Sequence, residues 1–338
     1  MKFRQDLISV VIPAYNQPHY LRRALQSVLE QDYRPIEVIV SDDCSPTVLK
    51  PIVDEFASAL SDSFKIKYFR SATNRGFVDN FKFAIEQTEG RYLVPLPHDN
   101  RFLERRFFSE ALRVMTDDPD CHLCYANASF ERGDREALNI PASIAFDGEW
   151  AVIEGNEFIR LYRRGGMDWS QAMVLDNAKA LTLGAYDLPY VVNGVIAKKF
   201  GIAQDDAFSY VFLLSAVGRV GLCRTAVCEI GMPLESYSRS ASWRDTKAKV
   251  KFFIFYNIWR SDLKGKYATD VRQMAFKQAL QYTDRILDIR MGRHYRWQPM
   301  FLLMAGFGVL KWALGTVRMS YKLAVNTIRP GTFKKTNK

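Results

Sequence analysis

The sequence predicts an α/β protein: a mostly parallel sheet flanked by helices, followed by a helical C-terminal extension. Over the first 130 residues short apolar runs alternate with amphipathic segments, the pattern of strands joined by helical crossovers. The chain has 338 residues, 48% hydrophobic and 25% charged, a composition that excludes disorder and allows one large domain with additions or two modest ones. No internal repeat or low-complexity segment breaks this pattern.

Residues 7–12 (LISVVI) read as a buried strand. Pro18 then opens a helix whose apolar positions, Leu21, Ala24, Leu25, Val28 and Leu29, follow three-and-four spacing. IEVIVSDD at 36–43 is the second strand, and FKIKYF is a third, lying between helices expected at 47–60 and 79–88. Gly90 is placed to end the latter helix. RYLVPLPHDN is a strand running into a loop, 104–115 a helix and 121–128 a strand. From about 130 to 195 the pattern is irregular, with loop-like ERGDRE and RRGGMDWS. A helix near 205–217, a strand at 219–230 and a largely helical stretch at 246–290 complete the reading. The expected division is a domain over 1–242, in halves 1–115 and 116–242, and a helical region over 243–338.

Charge is distributed unevenly. The net charge is +10, yet ten of the 47 Lys and Arg lie from Arg290 onward with no acidic residue among them, so residues 1–289 balance 37 against 37. A neutral body argues against nucleic acid as a partner. The apolar run at 299–315 is shorter than the roughly 20 residues of a membrane span. Trp297, Trp312 and Tyr321 and the flanking cations suit a segment at about 297–325 that lies on an anionic membrane surface. The charged N-terminus does not read as a signal peptide, so the expected location is cytoplasmic, peripheral on the inner face of the membrane. The five cysteines are expected to be reduced, with Cys121 and Cys124 in a buried strand and without a second pair at zinc-site spacing.

Chemistry concentrates at strand ends. Ligands of open parallel sheets bind beyond the carboxyl ends of strands, where VVIPAYN would bring Pro13, Tyr15 and Asn16 beside Asp42 and Asp43 of IEVIVSDDCS. A carboxylate there accepts from a base N–H or from ribose hydroxyls. The competing role for Asp42, Asp43 and Ser45 is to cap the next helix.

With P-x-Y-N ending one strand, DDxS ending the next, and N-x-G then N, A and Gly in NRGFVDNFKFAIEQTEG, the sequence resembles family 2 glycosyltransferases of the GT-A fold. The resemblance is specific over residues 7–115 and looser to about 242. It makes 1–115 a nucleotide-binding half and 116–242 an acceptor half. It implies that Pro13, Tyr15, Asn16, Glu37, Asp42, Asp43, Asn74 and Gly76 surround a nucleoside diphosphate, with Asp42 or Asp43 taking the base.

At the next strand end the family places D-x-D, which helps hold a divalent cation on the diphosphate. Here the segment is LPHDN: Pro97 replaces the first Asp, Asp99 matches the second, and Asn100 takes the following acidic position. One carboxylate with phosphate oxygens and waters still suits Mg²⁺ or Mn²⁺. His98, as the middle residue of an extended segment, is expected to point away from Asp99. The family's base, an acid at the start of a late helix, falls on Asp206 or Asp205, with Asp168 as a competing acid on a loop. Arg239, in a Y-x-R…S segment with Tyr237 and Ser242, would offset charge on the leaving group. The resemblance implies inverting transfer from a nucleotide-sugar donor to a glycan or lipid-linked glycan acceptor, in cell-surface polysaccharide synthesis. The alternative is an inactive glycosyltransferase-like protein that binds a nucleotide or a glycan.

Overall fold

The computed structural model describes residues 3–131, 133, 138, 140–163, 172–186, 207–233, 255, 256, 258, 259, 267–286 and 306. Its centre is a nine-stranded sheet among these residues. β1 (Arg4–Ala14), β2 (Ile36–Asp42), β3 (Phe64–Arg70) and β4 (Gly90–Pro95) are mutually parallel in the order β3-β2-β1-β4. Beyond β4 the sheet is mixed. β8 (Met173–Asp176) runs antiparallel to both β4 and β6 (Cys121–Phe130), and β6 pairs in parallel with β9 (Arg219–Ile230). β5 (Arg101–Phe102) and β7 (Trp150–Glu154) lie antiparallel to β9.

Side chains alternate across a strand, and this separates the two layers. Ile8, Val10 and Ile12 face one core with α1 (Pro18–Leu29), α2 (Lys50–Asp54) and α4 (Phe107–Asp117). Val11 and Ile39 face the other, with α3 (Phe77–Glu86), α5 (Gly155–Arg163), α6 (Asn177–Thr182), α7 (Ala207–Ala216) and α8 (Thr269–Ile286). Val271, Ala275 and Ala279 of α8 belong to this second core, and Phe255 packs on Phe212 at 4.8 Å. Residues on both sides of the expected boundary at 242 therefore share one core.

Three local differences from the sequence reading have physical causes. The expected helix over 47–60 is interrupted: α2 covers five residues and a 3₁₀ turn, Ala57–Ala59, follows. Gly90 does not end a helix but begins β4, four residues after α3 stops, and glycine is needed there because a Cβ would lie 2.5 Å from the Leu7 carbonyl oxygen and 2.6 Å from Ser9 Oγ. The stretch at 130–195 also contains β7, α5, β8 and α6, elements of four to nine residues that periodicity distinguishes poorly.

Candidate active site

The carboxyl ends of β1 and β2 lie side by side, Ala14 in register with Asp42. The Asp43 N–H donates to the Ala14 carbonyl oxygen at 2.9 Å. Beyond β1 the chain turns sharply through Asn16 and Gln17, both in the left-handed region (φ 58° and 59°), into Pro18 at the start of α1. Asn tolerates this conformation, and Pro18 fixes the first helical turn. The turn is tied down by the Asn16 N–H, which donates to Ser45 Oγ at 2.8 Å, while Tyr15 stands 45% exposed at the edge.

Asp42 and Asp43 are both buried and do different work. Asp42 Oδ1 accepts from the Ser45 N–H and hydroxyl, at 2.8 and 2.5 Å. Its Oδ2 accepts from the Tyr68 hydroxyl at 2.6 Å and faces Arg70 Nε at 3.3 Å. Burial, and then donation to this carboxylate, push the Tyr68 phenol far above its ordinary range. Four donors nearly fill the acceptor capacity of one carboxylate. Asp43 instead accepts one backbone N–H on each oxygen, from Arg75 at 2.7 Å and Gly76 at 2.9 Å, and so retains about two acceptor positions. Neither acid caps α2, whose N-terminus has no side-chain cap.

The N-R-G segment is held from both sides. Asn74 Oδ1 accepts from the Gly76 N–H at 3.0 Å, and Gly76, at φ 83°, adopts a backbone that favours glycine as α3 begins. Asn80 of α3 accepts from Ser41 Oγ at 2.6 Å and donates to the Ser41 carbonyl at 2.8 Å, fastening α3 to β2 beneath the edge.

Glu37 is not brought to this edge. It lies five residues back along β2, about 16 Å from Asp42 at ordinary strand rise. There it is buried and accepts from Ser9 Oγ (2.6 Å), the Glu89 N–H (2.6 Å) and Lys67 Nζ (2.9 Å). Its position and partners make it a brace joining β1, β2, β3 and the start of β4.

β4 ends at Pro95, and LPHDN is a tight turn rather than the expected extended segment. The Asn100 N–H closes it on the Pro97 carbonyl at 2.9 Å. The alternation argument that aimed His98 away from Asp99 therefore does not apply. His98 Nδ1 lies 3.2 Å from the Pro13 carbonyl oxygen at the end of β1, and its Nε2 is closed from solvent and has no hydrogen-bond partner. Burial pushes the His98 imidazole below its ordinary value and the Asp99 carboxyl above its own. Asn100 Oδ1 accepts from the Gly231 N–H at 3.2 Å. Gly231 is required here, since a Cβ would lie 2.0 Å from the Asp99 carbonyl oxygen.

A charged network supports this turn from outside. Arg101 donates twice to Glu229, at 2.8 and 3.0 Å, and Arg23 bridges Glu229 and Glu131. Glu131 also accepts from the Tyr20 hydroxyl (2.9 Å) and the Met232 N–H (3.0 Å). The Arg101 bond, outweighing burial, holds the Glu229 carboxyl below its usual range.

Among the described residues no group of three or more His, Cys, Asp or Glu forms a metal site by itself. The carboxylate of Asp99 beside an unpartnered imidazole nitrogen nevertheless fits a cation that takes its remaining ligands from a bound diphosphate. Asp168, Asp205, Asp206, Tyr237, Arg239 and Ser242 lie outside the described residues, as does the 297–325 segment apart from Gly306. α7 begins at the residue after Asp206. Among the described residues no helix is long and apolar enough to cross a membrane. Cys121, Cys124, Cys223 and Cys228 are buried free thiols, as expected, and Cys44 is partly exposed and free.

The open sheet with a polar edge beyond β1, β2 and β4 has the GT-A fold of the glycosyltransferase structures it resembles. The same fold occurs in the crystal structure of S. aureus TarS 1–349, at 16% identity and TM-score 0.56 over 90% of this chain and 80% of that one. The TarS complex with UDP-GlcNAc gives TM-score 0.58 at 16% identity over 86% and 76%. Residues 9–166 match the family model for Glycosyl transferase family 2, and the chain carries a domain of that family. An uncharacterized glycosyltransferase of Rickettsia bellii is 38% identical over 96 residues, 28% of this chain and 13% of the relative. An uncharacterized protein of Mycobacterium tuberculosis is 27% identical over 164 residues, 46% of this chain and 47% of the relative. The chain thus spans half or less of the length of these relatives.

Proposed function

We propose that this chain transfers a sugar from a nucleotide-sugar donor to a glycan or lipid-linked glycan acceptor, with inversion, in the assembly of a cell-surface polysaccharide. The observation that carries the reading is the joined edge of β1 and β2, where Asp43 keeps acceptor capacity while gripping the Arg75–Gly76 backbone. A TarS structure of the same fold is described in complex with UDP-GlcNAc, which supports a donor of that class.

In this reading Asp43 accepts from the base or the ribose, and Pro13, Tyr15, Asn16, Asn74 and Gly76 wall the nucleoside. Asp42 acts one step back, through Ser45 and Tyr68, by fixing the loop. Asp99 binds a divalent cation, Mg²⁺ or Mn²⁺, which when bound neutralises charge on the departing diphosphate. Arg239 adds positive charge to the same group. Asp206, or Asp205 beside it, takes the proton from the acceptor hydroxyl as that oxygen attacks the anomeric carbon. The basic apolar segment at 297–325 lays the protein on the cytoplasmic face of the membrane as a peripheral protein, close to a lipid-linked acceptor.

A panel of nucleotide sugars, assayed with and without Mn²⁺ for release of nucleoside diphosphate, tests the reading. Turnover with one donor is expected, and Asp206→Asn should abolish it while leaving nucleotide affinity unchanged. Normal turnover in that variant would reject Asp206 as the base. Pro97, in place of the family's first carboxylate, favours a second reading, a catalytically inactive nucleotide- or glycan-binding protein. Nucleotide binding without turnover of any donor would select it.

A further inference from the structure

Beside Asp99 lies a side chain committed on one side only. A carbonyl oxygen accepts and never donates, so the contact at 3.2 Å to Pro13 places the proton of the neutral His98 ring on Nδ1. Nε2 is then a bare lone pair, shut off from solvent and unpartnered. Buried polar atoms without a partner are rare in folded proteins and call for a reason. A ring fixed through Nδ1–H on a backbone carbonyl, with Nε2 bare, is the arrangement in which histidine ligates metals.

The setting agrees with that chemistry. The Pro97–Asn100 turn puts His98 and Asp99 in its two central positions, at the end of β4. It is clamped at both ends, by His98 on Pro13 and by Asn100 on Gly231, and the Asp99 carbonyl packs directly on the Gly231 Cα. Resting on the donor-site reading above, we infer that His98 Nε2 is a second protein ligand of the cation held by Asp99, standing in for the carboxylate that Pro97 removes. One imidazole nitrogen, one carboxylate oxygen and two diphosphate oxygens leave two positions of an octahedron for water. Nitrogen ligation ranks the ions, so Mn²⁺ or Co²⁺ binds in preference to Mg²⁺.

Pulsed EPR on the full chain with Mn²⁺ and a nucleoside diphosphate, chosen by calorimetry from UDP, GDP, CDP and dTDP, tests the assignment. Nitrogen modulation from a directly bound imidazole is expected in the wild type and absent in His98→Ala, with Mn²⁺ affinity weakened at least about tenfold. His98→Asp restores an oxygen ligand, so it should regain cation binding and shift the preference toward Mg²⁺. Thermal melts of each variant separate loss of a ligand from loss of fold, and His98→Gln replaces the alanine variant if that one does not fold. Bound Mn²⁺ without nitrogen modulation, unchanged Mn²⁺ affinity in the substituted protein, or diphosphate binding indifferent to EDTA would each overturn the inference and leave the donor site standing. Failure of every diphosphate to bind, with or without cation, would instead overturn the donor-site reading and this inference with it.

Discussion

The ends of β2 and β4 both present acids at the same edge of the sheet, and they are built in opposite ways. At the end of β2, Asp42 is wholly buried yet receives two donors from Ser45 and one from Tyr68 and faces Arg70. At the end of β4, Asp99 sits where burial disfavours its charge, next to a histidine with an orphaned nitrogen. A saturated acid holds a loop in shape, whereas a carboxyl whose charge burial disfavours, next to an unpartnered imidazole nitrogen, suits a bound cation. Loss of Asp42 should therefore fall on stability, and loss of Asp99 on cation-dependent binding.

The widest gap is expected from Asp42→Ala. It leaves the buried Ser45 donors and the half-buried Tyr68 hydroxyl without their acceptor, while Arg70, 37% exposed, turns to water, so the cost is about 1–3 kcal/mol. Urea unfolding measures this, and a loss below about 1 kcal/mol would erase the contrast between the two ends. Gly231→Ala comes next. Its Cβ collides with the backbone at Asp99, so overpacking of about 1–3 kcal/mol should accompany weaker cation-dependent nucleotide binding in calorimetry.

The charged network behind the β4 turn sharpens the contrast through pH. The Glu229 carboxyl is held below its unfolded value, so its contribution is complete above about pH 4.3 and is lost as pH falls through the lower folded value. Glu229 is 15% and Arg101 40% exposed, which limits the contribution to about 1–2 kcal/mol. Glu229→Gln should flatten the acid limb of stability against pH by that amount, and an unchanged limb would remove the network from the account. The smallest effect is opposite in sign. Asp99→Asn removes charge from a buried site, so stability at neutral pH should rise by about 0.5–1 kcal/mol while cation-dependent nucleotide binding disappears. A fall in melting temperature would show that Asp99 is structural like Asp42.

Much of the first half was legible because its signals are local. Proline at a helix start, apolar spacing of three and four, and paired acids at a strand end each depend on neighbours within a few residues, and β1, α1, β2 and β4 fell where those signals put them. Glu37 was drawn to the site by its place in a recognisable motif, yet strand rise carries it to the far end of β2. Alternation does not orient His98, because it assumes an extended chain, and the turn after Leu96 appears only as a hydrogen bond from Asn100 to Pro97. Gly231 had only a weak signal, a glycine just past a strand. The Arg23–Glu131–Glu229–Arg101 network had none, since its partners lie up to 206 residues apart.

By itself the sequence determined the alternating α/β plan, the acids that reach the sheet edge, the substitution of Pro97 for a carboxylate and the basic character of the last 49 residues. These follow from residue type and short spacing, which the chain carries wherever it folds. Only the tertiary structure decided how each of these acids is held. Asp42 is saturated by Ser45 of the following loop and by Tyr68 of β3, and the Nε2 of His98 becomes a vacant lone pair only when the end of β1 supplies the carbonyl of Pro13.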